Sequence, residues 1–347
     1  MFGVRYSVVR HASRITFHAL RITFHASRIT HHASRFKIMQ SIFLILLGLV
    51  LLTLGAEWLV RGSSSLALKL GVTPLAVGLT VVAVGTSAPE LAVSVSAALE
   101  HNSAISLGNV IGSNIANIGL ILGTSALIYP IASHPQVLQR DVPLMIAVTF
   151  GLMVLLLDGE LGRLDGALLL GGGIAYIAWT YISARKENGN TSDVSPTHRA
   201  LGFDVGLIVI GLGVLVFGAH ALVEGAVTLA RALGVSPIII ALTVVAVGTS
   251  LPEFATAVVA SHKRAADISL GNAVGSNILN ILLILGVTAL IQPIHARDLR
   301  LLDLGALVFF AVILLPLMRA GNRVTRGEGA FLLLAYALYV VSLVGTV

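Results

Sequence analysis

Two glutamates, Glu90 and Glu253, each lie in the middle of an apolar stretch that is long enough to cross a lipid bilayer. They end two nearly identical motifs, GTSAPE at 85–90 and GTSLPE at 248–253. A charged carboxylate at the centre of a bilayer costs about 2.5 to 3.5 kcal/mol even on the mildest scale, so such residues usually have a function. Neither motif contains a basic residue, so one Ca²⁺, two or more Na⁺, or protons must neutralise the two charges. The motifs therefore predict a cation site.

A proline precedes each glutamate and interrupts the helix around it. Pro89 and Pro252 have no N–H to donate, and their rings press on the carbonyl four residues earlier, so backbone oxygens are left free at membrane depth. Hydroxyl groups within one helical turn of each glutamate can converge with these carbonyls and with the carboxylate. These hydroxyls belong to Thr86, Ser87, Thr249 and Ser250. Ca²⁺ takes about six to eight oxygen ligands, which two such motifs can supply together.

A second duplicated motif occupies the following apolar stretch of each half, GNVIGSNIAN at 108–117 and GNAVGSNILN at 271–280. Its small residues let the helix approach a neighbour closely. Its serine and its last asparagine are spaced by one helical turn and offer further oxygens. These residues are Ser113, Asn117, Ser276 and Asn280. Packing between helices would be the favoured interpretation of an isolated motif of this kind, but duplication beside a buried glutamate favours cation ligands.

The elements that must position these motifs are apolar helices. The chain is 56% hydrophobic and 11% charged over 347 residues, whereas about a quarter of the residues in soluble domains are charged. Runs of roughly 20 apolar residues span a bilayer as helices. Ten spans are predicted, near 41–69, 73–98, 104–128, 142–157, 162–183, 204–232, 236–260, 267–291, 302–318 and 328–346.

The ten spans form two related halves. When the sequence is aligned with itself so that Leu79 falls on Leu242, both motifs of the first half superpose on those of the second; we call this match the repeat alignment. The polar segment 184–203 separates a repeat at 39–183 from one at 204–347. Because each half holds an odd number of spans, the halves enter the membrane in opposite directions. The predicted fold is an all-α integral membrane protein of ten transmembrane helices in two inverted five-helix repeats. The positive-inside rule makes 184–203 a cytoplasmic linker, since from Met39 onward eleven basic residues fall on inner loops and four on outer loops; the seven basic residues before Met39 are not counted and would lie on the outer side.

Composition excludes several classes of protein and site. The absence of cysteine excludes a disulfide framework and thiolate metal sites, which favours hard cations bound by oxygen. The net charge of +6 does not indicate nucleic-acid binding, because seven of the 22 Lys and Arg residues precede Met39 and the others lie at the ends of apolar runs. The sequence contains no HExxH, GxSxG or Gly-rich phosphate-binding motif. We therefore expect a transporter and not an enzyme; a channel has no sequence feature in its favour.

The stretch before Met39 has a different character. Near-copies of HASRITF begin at His11, His18 and His25, with a period of seven. This heptad lacks the apolar pairs of a coiled-coil seam, and it contains no apolar core of a signal peptide. We interpret 1–38 as a basic heptapeptide-repeat extension that is not native, a short DNA repeat read as protein, with translation starting at Met39. Mass spectrometry of the protein made from its native gene tests this interpretation.

The paired GTSxPE and GNxxGSNIxN blocks resemble the two α-repeats of the calcium/cation antiporter superfamily, in particular the sodium/calcium exchangers. The resemblance covers nearly all of the chain from Met39 onward. It implies inverted halves that enclose cation sites at mid-membrane and exchange several Na⁺ for one Ca²⁺ by alternating access. It also implies that Glu90 and Glu253 bind both ions. The further ligands that it implies are Ala83, Thr86, Ser87, Ala246, Thr249, Ser250, Ser113, Asn117 and Ser276.

The same resemblance implies a prokaryotic exchanger of the plasma (inner) membrane whose partners are Ca²⁺, Na⁺ and the lipid bilayer. We expect no cofactor, no nucleic acid and no obligatory protein partner. Asn280 stands where some exchangers carry an aspartate that is linked to potassium dependence, so we predict transport that does not require K⁺. Gly112 and Gly275 stand where the proton-coupled branch tends to carry an acidic residue. Exchange of Ca²⁺ or another cation for protons is therefore the alternative, and Na⁺/Ca²⁺ exchange is favoured.

Overall fold

A computed structural model describes the backbone of residues 3–187, 200–233, 248–296 and 299–344, and the side chains of 37–186, 200–233, 248–296 and 299–343. Within these ranges the chain is almost entirely helical. The helices are α1 (Gly3–Leu70), α2 (Pro74–Val77), α3 (Ala83–Thr86), α4 (Ala88–Leu99), α5 (Ser103–Ala116), α6 (Gly123–Ile128), α7 (Val142–Leu155), α8 (Arg163–Glu187), α9 (Leu201–Ala232), α10 (Leu251–His262), α11 (Ala266–Leu279), α12 (Gly286–Ile291), α13 (Leu301–Gly321) and α14 (Arg326–Val344). Segments of π-helix adjoin several of them, at Gly78–Val82, Asn117–Leu122, Val137–Asp141 and Asn280–Leu285, and a 3₁₀ turn covers Leu156–Asp158.

Eight helical stretches in the described ranges are long and apolar enough to cross a membrane. They are Lys37–Leu70, Ser103–Ile128, Val137–Asp158, Arg163–Lys186, Leu201–Ala232, Ala266–Ile291, Leu301–Gly321 and Arg326–Leu343. Two shorter helices, Pro74–Thr86 and Ala88–Leu99, meet at an angle of 43° and together make a ninth candidate span. These nine correspond to nine of the ten predicted spans. The first part of the predicted span at 236–260 lies outside the described residues, and so does most of the predicted linker at 184–203.

The bend between the two shorter helices falls beside the proline of the first motif. Ser87 leaves the helical conformation with φ −82° and ψ 8°, and α4 begins at the next residue. Ser250 has nearly the same conformation, φ −86° and ψ 8°, immediately before α10. A proline in the first turn of the new helix is tolerated because its missing N–H would have no intrahelical partner there. The predicted interruption of the helix is therefore present, one to two residues before each proline.

Two short antiparallel strand pairs join the halves at opposite ends of the bundle. β1 (Ile131–Ala132) pairs with β4 (Arg323–Val324), and β2 (Glu160–Leu161) pairs with β3 (Ile294–His295). The repeat alignment converts the register of the first pair into that of the second, with the partners exchanged. Because α7 separates β1 from β2 along the chain, the same contact occurs at both ends of the bundle. This arrangement is typical of halves related by a two-fold axis.

The α5 and α11 helices form the centre of the molecule. Ser103–Ile128 and Ala266–Ile291 are the most buried of the eight long spans, whereas at most a third of the residues in the most apolar window of the other six are buried, as is typical of lipid-facing helices. The α1 and α9 helices pack against each other over much of their length. Glycine permits this approach, because a Cβ on Gly55 would lie 2.8 Å from the carbonyl oxygen of Gly211, and one on Gly211 would lie 2.9 Å from that of Gly55.

Candidate cation-binding site

Each of the two glutamates contacts a serine of the opposite half of the chain. Ser87 Oγ donates a hydrogen bond to Glu253 Oε1 at 3.0 Å, and Ser250 Oγ donates one to Glu90 Oε1 at 3.1 Å. All four side chains are buried. The two bonds are one contact that the repeat alignment duplicates. The structure therefore unites the two GTSxPE motifs in one site, where each carboxylate is oriented by the other half.

The local backbone explains why these serines are free to reach across. Each occupies the position immediately before a helix, where a serine hydroxyl usually accepts a hydrogen bond from the first turn. Neither Ser87 nor Ser250 makes this capping bond. Glu90 and Glu253 lie in the first turn of α4 and α10, where the helix dipole stabilises negative charge. The serine hydroxyls are thus available to the carboxylates, and the carboxylates lie where a helix favours them.

The serines of the second motif extend the same cluster. Ser113 Oγ lies 3.4 Å from Glu90 Oε1 and 3.1 Å from Ser250 Oγ. On the other side, Ser276 Oγ lies 3.2 Å from Ser87 Oγ. Ser113 and Ser250 therefore lie beside Glu90, and Ser276 contacts Ser87, which lies beside Glu253. Both serines of the second motif thus lie next to the glutamates and serines of the first.

Two asparagines that the sequence analysis did not single out hold the threonines. Thr86 Oγ1 donates to Asn272 Oδ1 at 3.1 Å, and Thr249 Oγ1 donates to Asn109 Oδ1 at 3.3 Å. The Asn109 amide also donates to the Glu90 carbonyl at 3.1 Å. A threonine whose only hydrogen is donated in this way keeps its oxygen lone pairs for a cation. The repeated GN dipeptide of the second motif is the sequence signal for these residues.

Four further asparagines connect the two halves at the centre of the molecule, two in α5 and α11 and two at the start of the π-helical segments that follow these helices. The Asn114 amide donates to the Asn277 carbonyl and the Asn277 amide donates to the Asn114 carbonyl, both at 3.1 Å. The Asn117 amide donates to Asn277 Oδ1, and the Asn280 amide to Asn114 Oδ1, both at 2.9 Å. Asn117 and Asn280 were predicted from the sequence; Asn114 and Asn277 were not, although the GSN triplet is identical in the two copies.

Four buried oxygens of this region have no hydrogen-bond partner in the protein. They are Glu90 Oε2, Glu253 Oε2, Asn117 Oδ1 and Asn280 Oδ1. A buried acceptor without a partner costs about 1 to 3 kcal/mol, and more when it is charged. A cation coordinated by these oxygens would remove this cost. Carboxylate, amide and hydroxyl oxygens are the ligands of hard cations such as Ca²⁺ and Na⁺.

The two predicted alanine ligands have different standing. Ala83 is fully buried, and its carbonyl accepts the Ser87 N–H at 3.1 Å, which leaves one lone pair of that oxygen for another partner. Ala246 lies outside the described residues. In the described ranges, no group of three or more histidine, aspartate and glutamate side chains could hold a metal ion. The side chains that contact the two carboxylates by hydrogen bonds belong to Ser87, Ser113 and Ser250 and offer oxygens.

The chain matches known proteins over most of its length. The sequence profile described as sodium/calcium exchanger protein matches twice, at 40–183 and at 203–345. The sodium/calcium exchanger MaX1 of Methanosarcina acetivorans is 34% identical over 298 residues, which are 74% of this chain and 85% of that protein. The inner membrane protein YrbG of Escherichia coli K12 is 35% identical over 238 residues, which are 65% of this chain and 73% of that one.

A solved structure shows the same fold. The sodium-calcium exchanger NCX_Mj, soaked with Na⁺ and Sr²⁺, superposes with a TM-score of 0.78 and 33% identity, over 88% of this chain and 98% of that one. The resemblance stated from the two motifs is thereby confirmed, and the protein is a multi-pass membrane protein. The chain belongs to the sodium/calcium exchanger family.

Proposed function

We propose that the protein exchanges Na⁺ for Ca²⁺ by alternating access, at one site shared by both ions and without a requirement for K⁺. The observation that carries the proposal is the set of four buried oxygens that lack a protein partner, two of them on carboxylates. A serine of the opposite half holds each carboxylate, so the site depends on how the two halves meet. A site of this kind can change its access when the halves move relative to each other.

The proposed architecture is that of ten transmembrane helices in two inverted repeats, 39–183 and 204–347, joined by a cytoplasmic linker at 184–203. The two strand pairs support it, because they repeat one contact at the two ends of the bundle. The two matches to the family profile support it as well, because their starts, at 40 and 203, are separated by the same number of residues as Leu79 and Leu242 in the repeat alignment. Residues 1–38 precede the first match and lie outside the proposed transport unit. We place the protein in the plasma (inner) membrane of its cell.

Charge balance couples the two fluxes in this proposal. Without a bound cation the site would hold two buried carboxylates, and among the described residues no basic side chain is in hydrogen-bond contact with them. One Ca²⁺ or several Na⁺ neutralise these charges, and the neutral site can pass through the apolar core during a change of access. The empty site opposes that change because it would carry uncompensated charge. Ions of one kind therefore leave only when those of the other kind enter.

Asn280 supports independence from K⁺. Its amide donates to Asn114 and carries no charge, so the site has two carboxylates and no third one to be balanced by K⁺. Protons would also neutralise two glutamates, which makes Ca²⁺/H⁺ exchange the alternative. The flux experiment below separates the two.

The experiment uses the full chain purified and reconstituted into proteoliposomes that are loaded with Na⁺. Ca²⁺ uptake is followed after dilution into Na⁺-free or Na⁺-containing medium, each with and without K⁺. We expect uptake only with an outward Na⁺ gradient, and equal uptake with and without K⁺. Uptake driven by a pH gradient alone would identify a proton exchanger, and uptake without any counter-ion gradient would identify a channel. Either result would overturn the proposal.

A further inference from the structure

The first inference concerns Asn114 and Asn277, which are positioned to control the orientation of two other amides. Both residues are buried. Each donates to the backbone carbonyl of the other, so the pair is fixed to α5 and α11 by reciprocal bonds. Each then presents its Oδ1 to an amide N–H of the opposite half. Neither side chain reaches a glutamate by a hydrogen bond that the structure shows.

These bonds determine which way the side-chain amides of Asn117 and Asn280 face. Asn117 and Asn280 give their N–H groups to the pair, and their Oδ1 atoms are left buried and without a partner. An amide can turn either its N–H₂ or its oxygen toward a cation, and only the oxygen is a ligand. Asn117 begins the π-helical segment after α5 and lies four residues after Ser113, which contacts Glu90, so the two side chains lie on nearly the same face of the continuous helix.

We infer that Asn114 and Asn277 are positioning residues that hold the Asn280 and Asn117 oxygens toward the cation, each acting across the interface between the halves. This inference rests on the proposed function. It predicts a crossed pattern of coupling, in which Asn114 acts through Asn280 and Asn277 acts through Asn117. The pairs on the same helix, Asn114 with Asn117 and Asn277 with Asn280, share no side-chain hydrogen bond in the structure.

Double-mutant cycles test the crossed pattern. The Kd for Ca²⁺ is measured by calorimetry on purified wild type, on the four single alanine variants, and on four double variants, namely the two crossed pairs and the two same-helix pairs. For Asn114→Ala with Asn280→Ala, we expect the second change to weaken binding by less than about two-fold once the first is present. The same holds for Asn277→Ala with Asn117→Ala. The same-helix pairs serve as matched controls and should be additive.

A conservative variant separates positioning from folding. Asn114→Asp keeps an acceptor for the Asn280 amide but loses the donor to the Asn277 carbonyl, so Asn280→Ala should still weaken Ca²⁺ binding in that background, in contrast to the Asn114→Ala background. Additive effects in the crossed pairs, or equal coupling in crossed and same-helix pairs, would overturn the inference. Failure of wild type to bind Ca²⁺ would instead overturn the proposed function.

A second inference comes from an ion pair away from the site. Glu57 of α1 lies 3.0 Å from Lys263 Nζ, which follows α10, and Arg61 also pairs with Glu57. The repeat alignment converts Glu57 and Lys263 into His220 and Glu100. The α1 helix packs closely against α10, but within the described ranges α9 makes no comparable contact with α4, its counterpart. The structure thus has one of two symmetry-related contacts.

The Glu57–Lys263 contact and the missing His220–Glu100 contact lie at opposite ends of the bundle; the end that carries β1 and β4 and the end that carries β2 and β3 are called its two faces here. The hydrogen bond of His134 with Asp267 at 2.8 Å places the turn containing Lys263 on the face of β1 and β4. That of His101 with Gln292 at 3.3 Å places the turn containing Glu100 on the face of β2 and β3. His220 is open to a new partner, since its side chain is 77% exposed and its nearest acid, Glu224, is 3.9 Å away.

We infer that Glu57 with Lys263 closes one face in the state that the structure shows, and that His220 with Glu100 closes the other face in the opposite state. A histidine can donate a hydrogen bond to a carboxylate in either charge state. The native chain contains no cysteine, so paired cysteines can be introduced without background. The variants are E57C with K263C, and H220C with E100C.

Each pair is treated with a short bifunctional thiol reagent in reconstituted vesicles. We expect both cross-links to form, each to stop Ca²⁺ uptake, and ion conditions that favour one to disfavour the other. Single-cysteine variants control for modification alone. Failure of the 220–100 link to form while the 57–263 link forms, or formation of both in proportions independent of the ions present, would overturn this inference. Absence of Ca²⁺ uptake by vesicles that contain the wild-type protein would instead overturn the proposed function.

Discussion

Glu90→Gln removes one of the two charges of the site while leaving its shape nearly unchanged. Glu90 Oε1 accepts hydrogen bonds from Ser250 and Ser113, and a glutamine oxygen can accept the same two. Its N–H₂ group then replaces Oε2, the oxygen that has no protein partner. The variant therefore tests the ligand role of Oε2 and the charge, and it preserves the contacts that join the halves.

The lost charge sets the size of the effect. Two unit charges about 4 Å apart interact by about 4 kcal/mol at an effective dielectric constant of 20, and a divalent ion doubles that value. Even the lower figure weakens Ca²⁺ binding about a thousand-fold. The ion-free protein should change in the opposite direction, because one of two buried carboxylates is neutralised. We expect its unfolding temperature without ions to rise, and the added stability from Ca²⁺ to disappear.

The assay combines calorimetry with thermal unfolding of the purified protein, at zero and at saturating Ca²⁺. Glu253→Gln should give the same result, since its carboxylate has the symmetry-related serine contact. Glu160→Gln is the control, because Glu160 lies at a strand near the surface with 43% of its side chain exposed. Wild-type Ca²⁺ affinity in Glu90→Gln, or a large difference between the two site variants, would refute the reasoning.

Three other predictions concern packing, pH and potassium. Gly55→Ala should lower stability by about 1 to 3 kcal/mol, because its Cβ would meet Gly211 of α9, whereas Gly151→Ala, with open space around it, should be neutral or stabilising in thermal unfolding. The hydrogen bond to Asp267 raises the pKa of His134 above its ordinary 6.5. The stability that this bond adds to the folded protein is therefore fully present below the ordinary histidine pKa and is lost as pH rises through the raised pKa of His134. The difference in unfolding temperature between wild type and His134→Gln should thus shrink from acidic to basic pH. Ca²⁺ uptake should be unchanged in K⁺-free medium, and its loss there would contradict the role given to the neutral Asn280.

The chemical types of the site could be predicted from the sequence, but its pairing could not. Glu90 and Ser87 stand out because a buried carboxylate beside a proline and hydroxyls occurs twice. That Ser87 serves Glu253 and not Glu90 depends on how two segments far apart in the chain meet. Local sequence contains no information on such a contact.

The asparagines show a similar limit. The spacing of the second motif gives no role to Asn114 and Asn277, and only the bonds that they accept from the Asn280 and Asn117 amides show what they contact. The strands fall outside sequence patterns for another reason. Two residues, as in β1, are too few for an alternating pattern. Helix positions, in contrast, follow from apolar length, and nine of the ten predicted spans have a counterpart.

The central claim is that Na⁺ and Ca²⁺ compete for one site that both halves build. Its most direct test is calorimetric titration of Ca²⁺ into the purified wild-type protein at a series of Na⁺ concentrations, with choline as the balancing cation. The account predicts an apparent Ca²⁺ Kd that rises steadily and more than linearly with Na⁺, because more than one Na⁺ replaces each Ca²⁺. A Ca²⁺ Kd that is independent of Na⁺ would contradict it.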